Sequence, residues 1–346
     1  MTTRTTRRTI VLSSTAFLSS TAFLIPRGIA AQTGDDDAAS NERDCLGLET
    51  FPVPSGDAPH DVAPAADGRI WYTAQGAAAL GLLDPATGEI ERVELGAGSA
   101  PHGVVTYSDG VAWVTDGGLN AMIRVDPVDL TVEVFAVDRA NASMNTSVVA
   151  PDCGVYFTGQ GGVVGRLDPL SGDMSLAEAP RGRGPYGITV TPDGAVYFAS
   201  LAGSYLGQIE VEGAGLRLTE FDPPTAGAGV RRVWTDSGGA LWISEWEAGR
   251  VGRFDPGTET WTEWPLPGPG AQAYAVYVDE RDHVWLSDFG TNTLVRFDPE
   301  AESFTSLPLP DAGANVRQIH GRPGEVWGAM SGVDKLVVAR TACAEG

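Results

Sequence analysis

Asp67-Gly68-Arg69-Ile70-Trp71-Tyr72-Thr73 recurs, with changes, as Asp193-Gly194-Ala195-Val196-Tyr197-Phe198 and as Gly238-Gly239-Ala240-Leu241-Trp242-Ile243-Ser244-Glu245. Its aromatic, Trp71, returns as Trp113, Tyr156, Tyr197, Trp242, Trp285 and Trp327, at spacings of 42, 43, 41, 45, 43 and 42 residues. A near-constant period of that size, with strand-like content in each copy, marks a propeller or a solenoid rather than one irregular core. The apolar residues form short runs rich in Val, Ile, Trp, Tyr and Phe, bounded by Gly, Asp and Pro, and never hold a helical period for three turns.

A second turn signal follows five of the seven aromatics by about 13 residues: Leu83-Asp84-Pro85-Ala86-Thr87-Gly88, Val125-Asp126-Pro127, Leu167-Asp168-Pro169, Phe254-Asp255-Pro256 and Phe297-Asp298-Pro299. Asp bonds its own downstream backbone and Pro presets the next backbone angle, so each is a hairpin turn. Two hairpins and a link make four strands per copy. The fold expected is therefore all-β, a single seven-bladed β-propeller of four-stranded blades, starting near residues 58, 100, 143, 184, 229, 272 and 315. An open β-solenoid suits the aromatic and Asp-Gly punctuation less well. Blade four carries Ile209-Glu210-Val211-Glu212-Gly213-Ala214-Gly215 in place of the Asp-Pro turn, which predicts a different loop there.

The chain ends fall outside the repeats. Arg7-Arg8, an uncharged stretch from Thr9 to Ile25 and a small-residue exit at Gly28-Ile29-Ala30-Ala31 predict an export signal over residues 1–31, with arginines placed as in twin-arginine signals. Residues 32–44, with Asp35-Asp36-Asp37, read as a flexible acidic leader, and the propeller is expected over 45–343. The formal charge is −22; residues 1–31 hold four arginines and no acid, so their removal leaves −26. Such a field repels nucleic acid and anionic membrane surfaces and favours solubility. The protein is expected to act as an exported monomer, periplasmic or extracellular, without a membrane span, on a small-molecule ligand.

The last copy supplies only three strands, ending in Lys335-Leu336-Val337-Val338-Ala339-Arg340. Its fourth is expected from Leu46-Gly47-Leu48-Glu49-Thr50-Phe51-Pro52, which closes the ring and removes a sheet edge. Antiparallel pairing of these strands sets Cys45 opposite Cys343 and predicts a disulfide. Closing a loop of about 300 residues stabilises by roughly 4–5 kcal/mol in the chain-entropy picture. Cys153 stands in the blade-three turn and is read as a lone thiol.

Where the packing residues repeat, the positions opening the innermost strands vary: His60, His102, Asn145, Tyr186, Arg231, Tyr274 and Arg317. A regular scaffold with a diverse rim has the layout of a binding site at the channel mouth. His60 and His102 occupy equivalent places in adjacent blades and are the candidate base and acid. Asp116, Glu245 and Asp288 follow the aromatic strand; they are candidate metal ligands or counter-charges to Arg231 and Arg317. Tyr186, Trp246 and Tyr274 complete a candidate ligand site.

Gly184-Pro185-Tyr186-Gly187-Ile188-Thr189-Val190, followed by Pro192-Asp193-Gly194 and an aromatic strand, resembles the repeat of the virginiamycin B lyase (streptogramin lyase) family across all seven blades. The resemblance implies a seven-bladed propeller and a Mg²⁺-dependent elimination that opens cyclic depsipeptide antibiotics, with histidine as base and glutamates at the metal. The positions matching that machinery are Tyr274, Asn315, Arg317 and Ser331 here. Arginine stays protonated and is no base, and Asn and Ser hold a divalent cation poorly. Three readings follow: a non-lyase binder of a small polar or anionic ligand, anchored by Arg231 and Arg317; a lyase or lactone hydrolase using Mg²⁺ or another divalent cation; and a protein-interaction platform.

Overall fold

Seven four-stranded antiparallel sheets account for every strand of the computed structural model, which describes residues 46–341. The expected export signal, acidic leader and Cys45–Cys343 disulfide lie outside the described residues. Blade one is typical: Pro59–Pro64 innermost, then Ile70–Ala74, Ala79–Leu83 and Ile90–Glu94. The two hairpin signals fall between its strands. The Asp of each Asp-Pro turn accepts the backbone N–H two residues on, at 2.8 Å for Asp84, 2.9 Å for Asp126 and 2.8 Å for Asp168. Blade four, lacking that turn, extends its outer pair to Tyr205–Glu212 and Gly215–Phe221.

At the other turn the residue after Asp adopts a left-handed backbone, with φ of 91° at Gly68, 84° at Gly110 and 92° at Gly194. Cys153 occupies that place in blade three with φ of 61°, a conformation glycine adopts without strain. It is an exposed free thiol.

Ring closure occurs as expected. Gly47–Pro52 is the outermost strand of blade seven, paired antiparallel with Lys335–Arg340 from Gly47 opposite Arg340 to Pro52 opposite Lys335. The blades pack through the repeated aromatics: Trp71, Trp242, Trp285 and Trp327 are at most 1% exposed. Each lies between its own sheet and the next, as Trp285 does among Tyr277, Val316 and Val326. Burying such a side chain is worth roughly 4–6 kcal/mol of transfer free energy before entropy is counted. Among the described residues no helix is long and apolar enough to cross a membrane.

Candidate functional site

Every innermost strand is interrupted by a β-bulge near its start, with the register shifting between Pro59 and Val62, Pro101 and Gly103, Met144 and Ser147, Pro185 and Ile188, Val230 and Arg232, Ala273 and Val276, and Val316 and Ile319. A bulge puts two residues against one and re-aims the side chains there. The first of each pair is a residue of the predicted rim. The second forms another layer beneath it: Asp61, Gly103, Thr146, Gly187, Arg232, Ala275 and Gln318. Glycine serves where a neighbouring strand crowds in. A Cβ on Gly103 would lie 2.7 Å from the Asn145 carbonyl oxygen, and one on Gly187 2.7 Å from Arg232 Cα.

The rim residues converge as the sequence predicts. The His60 and His102 rings sit 3.7 Å apart, and His102 meets Tyr186 edge-on at 5.8 Å. The Tyr186 and Tyr274 hydroxyls are 2.6 Å apart. The Arg231 guanidinium lies 3.6 Å above the Tyr274 ring, 4.4 Å from that of Tyr186 and 4.9 Å from that of Trp246, and donates to the Tyr186 hydroxyl at 3.0 Å. Arg317 donates to the Tyr274 hydroxyl at 3.3 Å and to Ser331 Oγ at 2.7 Å. Among the described residues neither guanidinium hydrogen-bonds a carboxylate, and Arg231 Nε is buried with no partner. Beside His102 and Asn145 the mouth opens into a cavity of about 200 Å³ that Gln75, Ala100 and Gln160 also line.

Charge sets the protonation of this layer. Burial, then the guanidiniums of Arg232, Arg317 and Arg231, hold the His60 imidazole well below its usual pKa. Burial and the neighbouring His60 do the same to His102. Both rings are therefore neutral at pH 7. His60 Nδ1–H donates to Asp61 at 2.7 Å, and His102 Nδ1–H to the Asn145 carbonyl at 2.9 Å. Burial alone would push the Tyr274 hydroxyl up; Arg231, Arg232, the bond from Tyr186 and Arg317 outweigh it and bring the pKa below the ordinary phenol value.

The second layer was not anticipated. Arg232 reaches from blade five to Asp61 in blade one, donating at 3.0 and 3.3 Å, and to Thr146 Oγ1 at 3.0 Å. Gln318 accepts the Val62 N–H at 3.1 Å. Burial opposes the Arg232 charge, but Asp61 and the two phenols more than offset it. The signal was present in the sequence: glycine stands at this position in two blades, and Asp61, Thr146, Arg232 and Gln318 are polar departures from it.

The three predicted carboxylates do other work. Asp116 accepts the N–H groups of Ala100, Gly118 and Leu119, at 3.0, 2.9 and 2.8 Å, as well as the Ser99 hydroxyl. Asp288 likewise accepts Gln272, Gly290 and Thr291 in blade six. Glu245 is fully buried in blade five, and burial together with the charge of Glu263 and a hydrogen bond to its side chain pushes its pKa up to about 8. None of them is a partner of Arg231 or Arg317, so the expected counter-charge role is corrected: each organises or fills its own blade. Among the described residues the group with metal-ligand spacing is instead His60, Asp61 and His102, whose donor atoms lie within 4.8 Å of one another. A cleft of about 340 Å³ between blades four and five, near Asp193, Tyr197 and Arg253, is lined by none of these residues.

No protein-family profile matches the sequence, and no curated protein matches it. Solved structures do. The chain resembles selenomethionine-substituted virginiamycin B lyase from Staphylococcus aureus with a TM-score of 0.79 at 21% identity, covering 85% of this chain and 99% of that one. A catalytically inactive form of that lyase, solved with quinupristin, gives 0.79 at 22% identity over 85% and 99%. YCF48 bound to a D1 peptide gives 0.67 at 15% identity over 85% and 97%. At these identities the likeness establishes a shared seven-bladed propeller architecture.

Proposed function

We propose that this chain is an exported propeller of the streptogramin lyase type that binds a small polar or anionic molecule at the channel mouth, without lyase chemistry at Tyr274, Asn315, Arg317 and Ser331. The observation that carries this reading is the convergence of Arg231, over the Tyr274 ring and bonded to the Tyr186 hydroxyl, and Arg317, bonded to the Tyr274 hydroxyl, with no carboxylate hydrogen-bonded to either. In a chain of net charge −22 such a pair is a local positive site. A carboxylate or phosphate would take the fork of N–H donors that a guanidinium offers. The aromatic faces of Tyr186, Trp246 and Tyr274 hold Arg231 in place and form the walls.

Calorimetric titration with citrate and with inorganic phosphate tests it. Binding that weakens with added salt is expected, with affinity falling about tenfold or more in Arg231→Gln, the loss of one charge-assisted hydrogen bond. Absence of heat with both anions, or equal affinity in the variant, would overturn the reading.

A second reading, a metal-assisted lyase or lactone hydrolase acting on a cyclic ester such as a streptogramin B antibiotic, is favoured by the His60, Asp61 and His102 group. His60 or His102 would be the base, and a divalent cation such as Mg²⁺ would polarise the ester. Asp61 is already paired with Arg232, and three guanidiniums disfavour a cation there. Thermal stabilisation by Mg²⁺, Ca²⁺ or Zn²⁺, together with a ring-opened product from quinupristin by mass analysis, would replace the first reading with this one.

A further inference from the structure

Below the Asp61–Arg232 layer the channel widens again. The residues there come from the same strands, two places beyond the second layer: Val105, Val148, Thr189, Trp234 and His320 line a cavity of about 220 Å³, with Asp61, Arg232 and Gln318 also in its wall. Trp234, Tyr277 and His320, from blades five, six and seven, pack edge to face, with ring centroids 5.0 to 5.7 Å apart. Aliphatic side chains of blades two and three, Val105 and Val148, supply further walls.

Three residues of this wall each carry a buried polar atom without a partner: Ser147 Oγ, Arg232 Nε and His320 Nδ1. Buried polar groups are nearly always hydrogen-bonded, and three orphans around one space point to something that fills it. The ionised groups of the wall, Asp61 and Arg232, neutralise each other, so a charged guest would be desolvated without a partner. Burial pushes the His320 imidazole down to about 4, leaving it neutral. An apolar cavity of about 150 Å³ is enough for benzene.

We propose that the lower half of the channel is a second binding site, independent of the anion site at the mouth, for a small neutral aromatic molecule carrying one hydroxyl group. The ring lies among Val105, Val148 and the Trp234 and His320 rings. The hydroxyl, both donor and acceptor, satisfies the donor Arg232 Nε–H and the neutral imidazole of His320.

Phenol and toluene, of one shape with and without the hydroxyl, are the probes, read by saturation-transfer NMR on the intact protein. Phenol is expected to bind about tenfold more tightly than toluene, the factor that one hydrogen bond of ordinary strength provides. Val148→Trp, which fills the space, should abolish both signals, and His320→Phe, which keeps the aromatic packing, should bring phenol down to the toluene level. Citrate added to saturation should leave the phenol signal unchanged. The proposal is overturned by no transfer to phenol in wild type, by an undiminished signal in folded Val148→Trp, or by equal phenol and toluene affinities before and after His320→Phe.

Discussion

Glu245 shows how a residue's place, rather than its type, decides its role. Its carboxyl is fully buried beside that of Glu263, and a Cβ on Gly252 would sit 2.6 Å from Oε1. With a folded pKa near 8 against an ordinary 4.5, it is protonated in the native state at neutral pH. The sign is that of a raised acid: the native state holds a proton that the unfolded chain loses above pH 4.5, so stability present below that pH declines as pH rises towards 8. Glu245→Gln, which cannot ionise, should therefore stabilise by on the order of 3 kcal/mol at pH 8 and change little at pH 4. Urea unfolding at the two pH values measures this; equal effects at both would show that the carboxyl is not held neutral. From sequence it was indistinguishable from Asp116 and Asp288, which occupy the same repeat position and are tied into turns by backbone donors. Only the surroundings separate them.

At the scale of the strand, a hydroxyl motif joins neighbouring blades. Thr73 accepts the Asp61 N–H of its own blade at 2.9 Å and donates to the His102 carbonyl of the next at 2.9 Å. Thr115 does the same between Gly103 and Asn145, Thr158 between Thr146 and Tyr186, and Ser244 between Arg232 and Tyr274. Each therefore satisfies a backbone donor that the bulge releases from the sheet, while fixing the carbonyl of the adjacent rim residue. Thr115→Val, of nearly equal volume, leaves the Gly103 N–H and the Asn145 carbonyl buried without that hydroxyl, and is expected to cost about 1–3 kcal/mol. It should also loosen His102, which shares the Asn145 carbonyl. Denaturant unfolding combined with the chemical shifts of the His102 ring would check both; an unchanged midpoint would show that water substitutes for the hydroxyl. The Ser and Thr residues are visible in the repeat, but the bulges that give them a task are not, since innermost strands such as Pro59–Pro64 and Ala273–Val278 are buried almost throughout and carry no apolar alternation whose phase an extra residue would break.

For the molecule as a whole, the strand Gly47–Pro52 determines whether seven sheets become a closed ring. Phe51, 8% exposed, lies 5.3 Å from Trp327 by ring centroids and shares a core with Leu336 and Val338. Phe51→Ala should cost about 3–4 kcal/mol by the usual cost of emptying a buried aromatic site. A loss below about 1 kcal/mol in equilibrium unfolding would mean that the closing strand contributes little, outside the range for buried aromatic truncations. The blade count, the hairpin turns, the closing strand and the ring of rim positions were all legible from the chain, because each depends on local periodicity or turn chemistry repeated seven times. The pairing of Asp61 with Arg232 across 171 residues, the convergence of two arginines on one tyrosine and the orphaned atoms of the lower channel were not. Those relations exist only when the blades meet around one axis, where side chains remote in sequence share a small, poorly solvated space and each one's charge depends on what the others present.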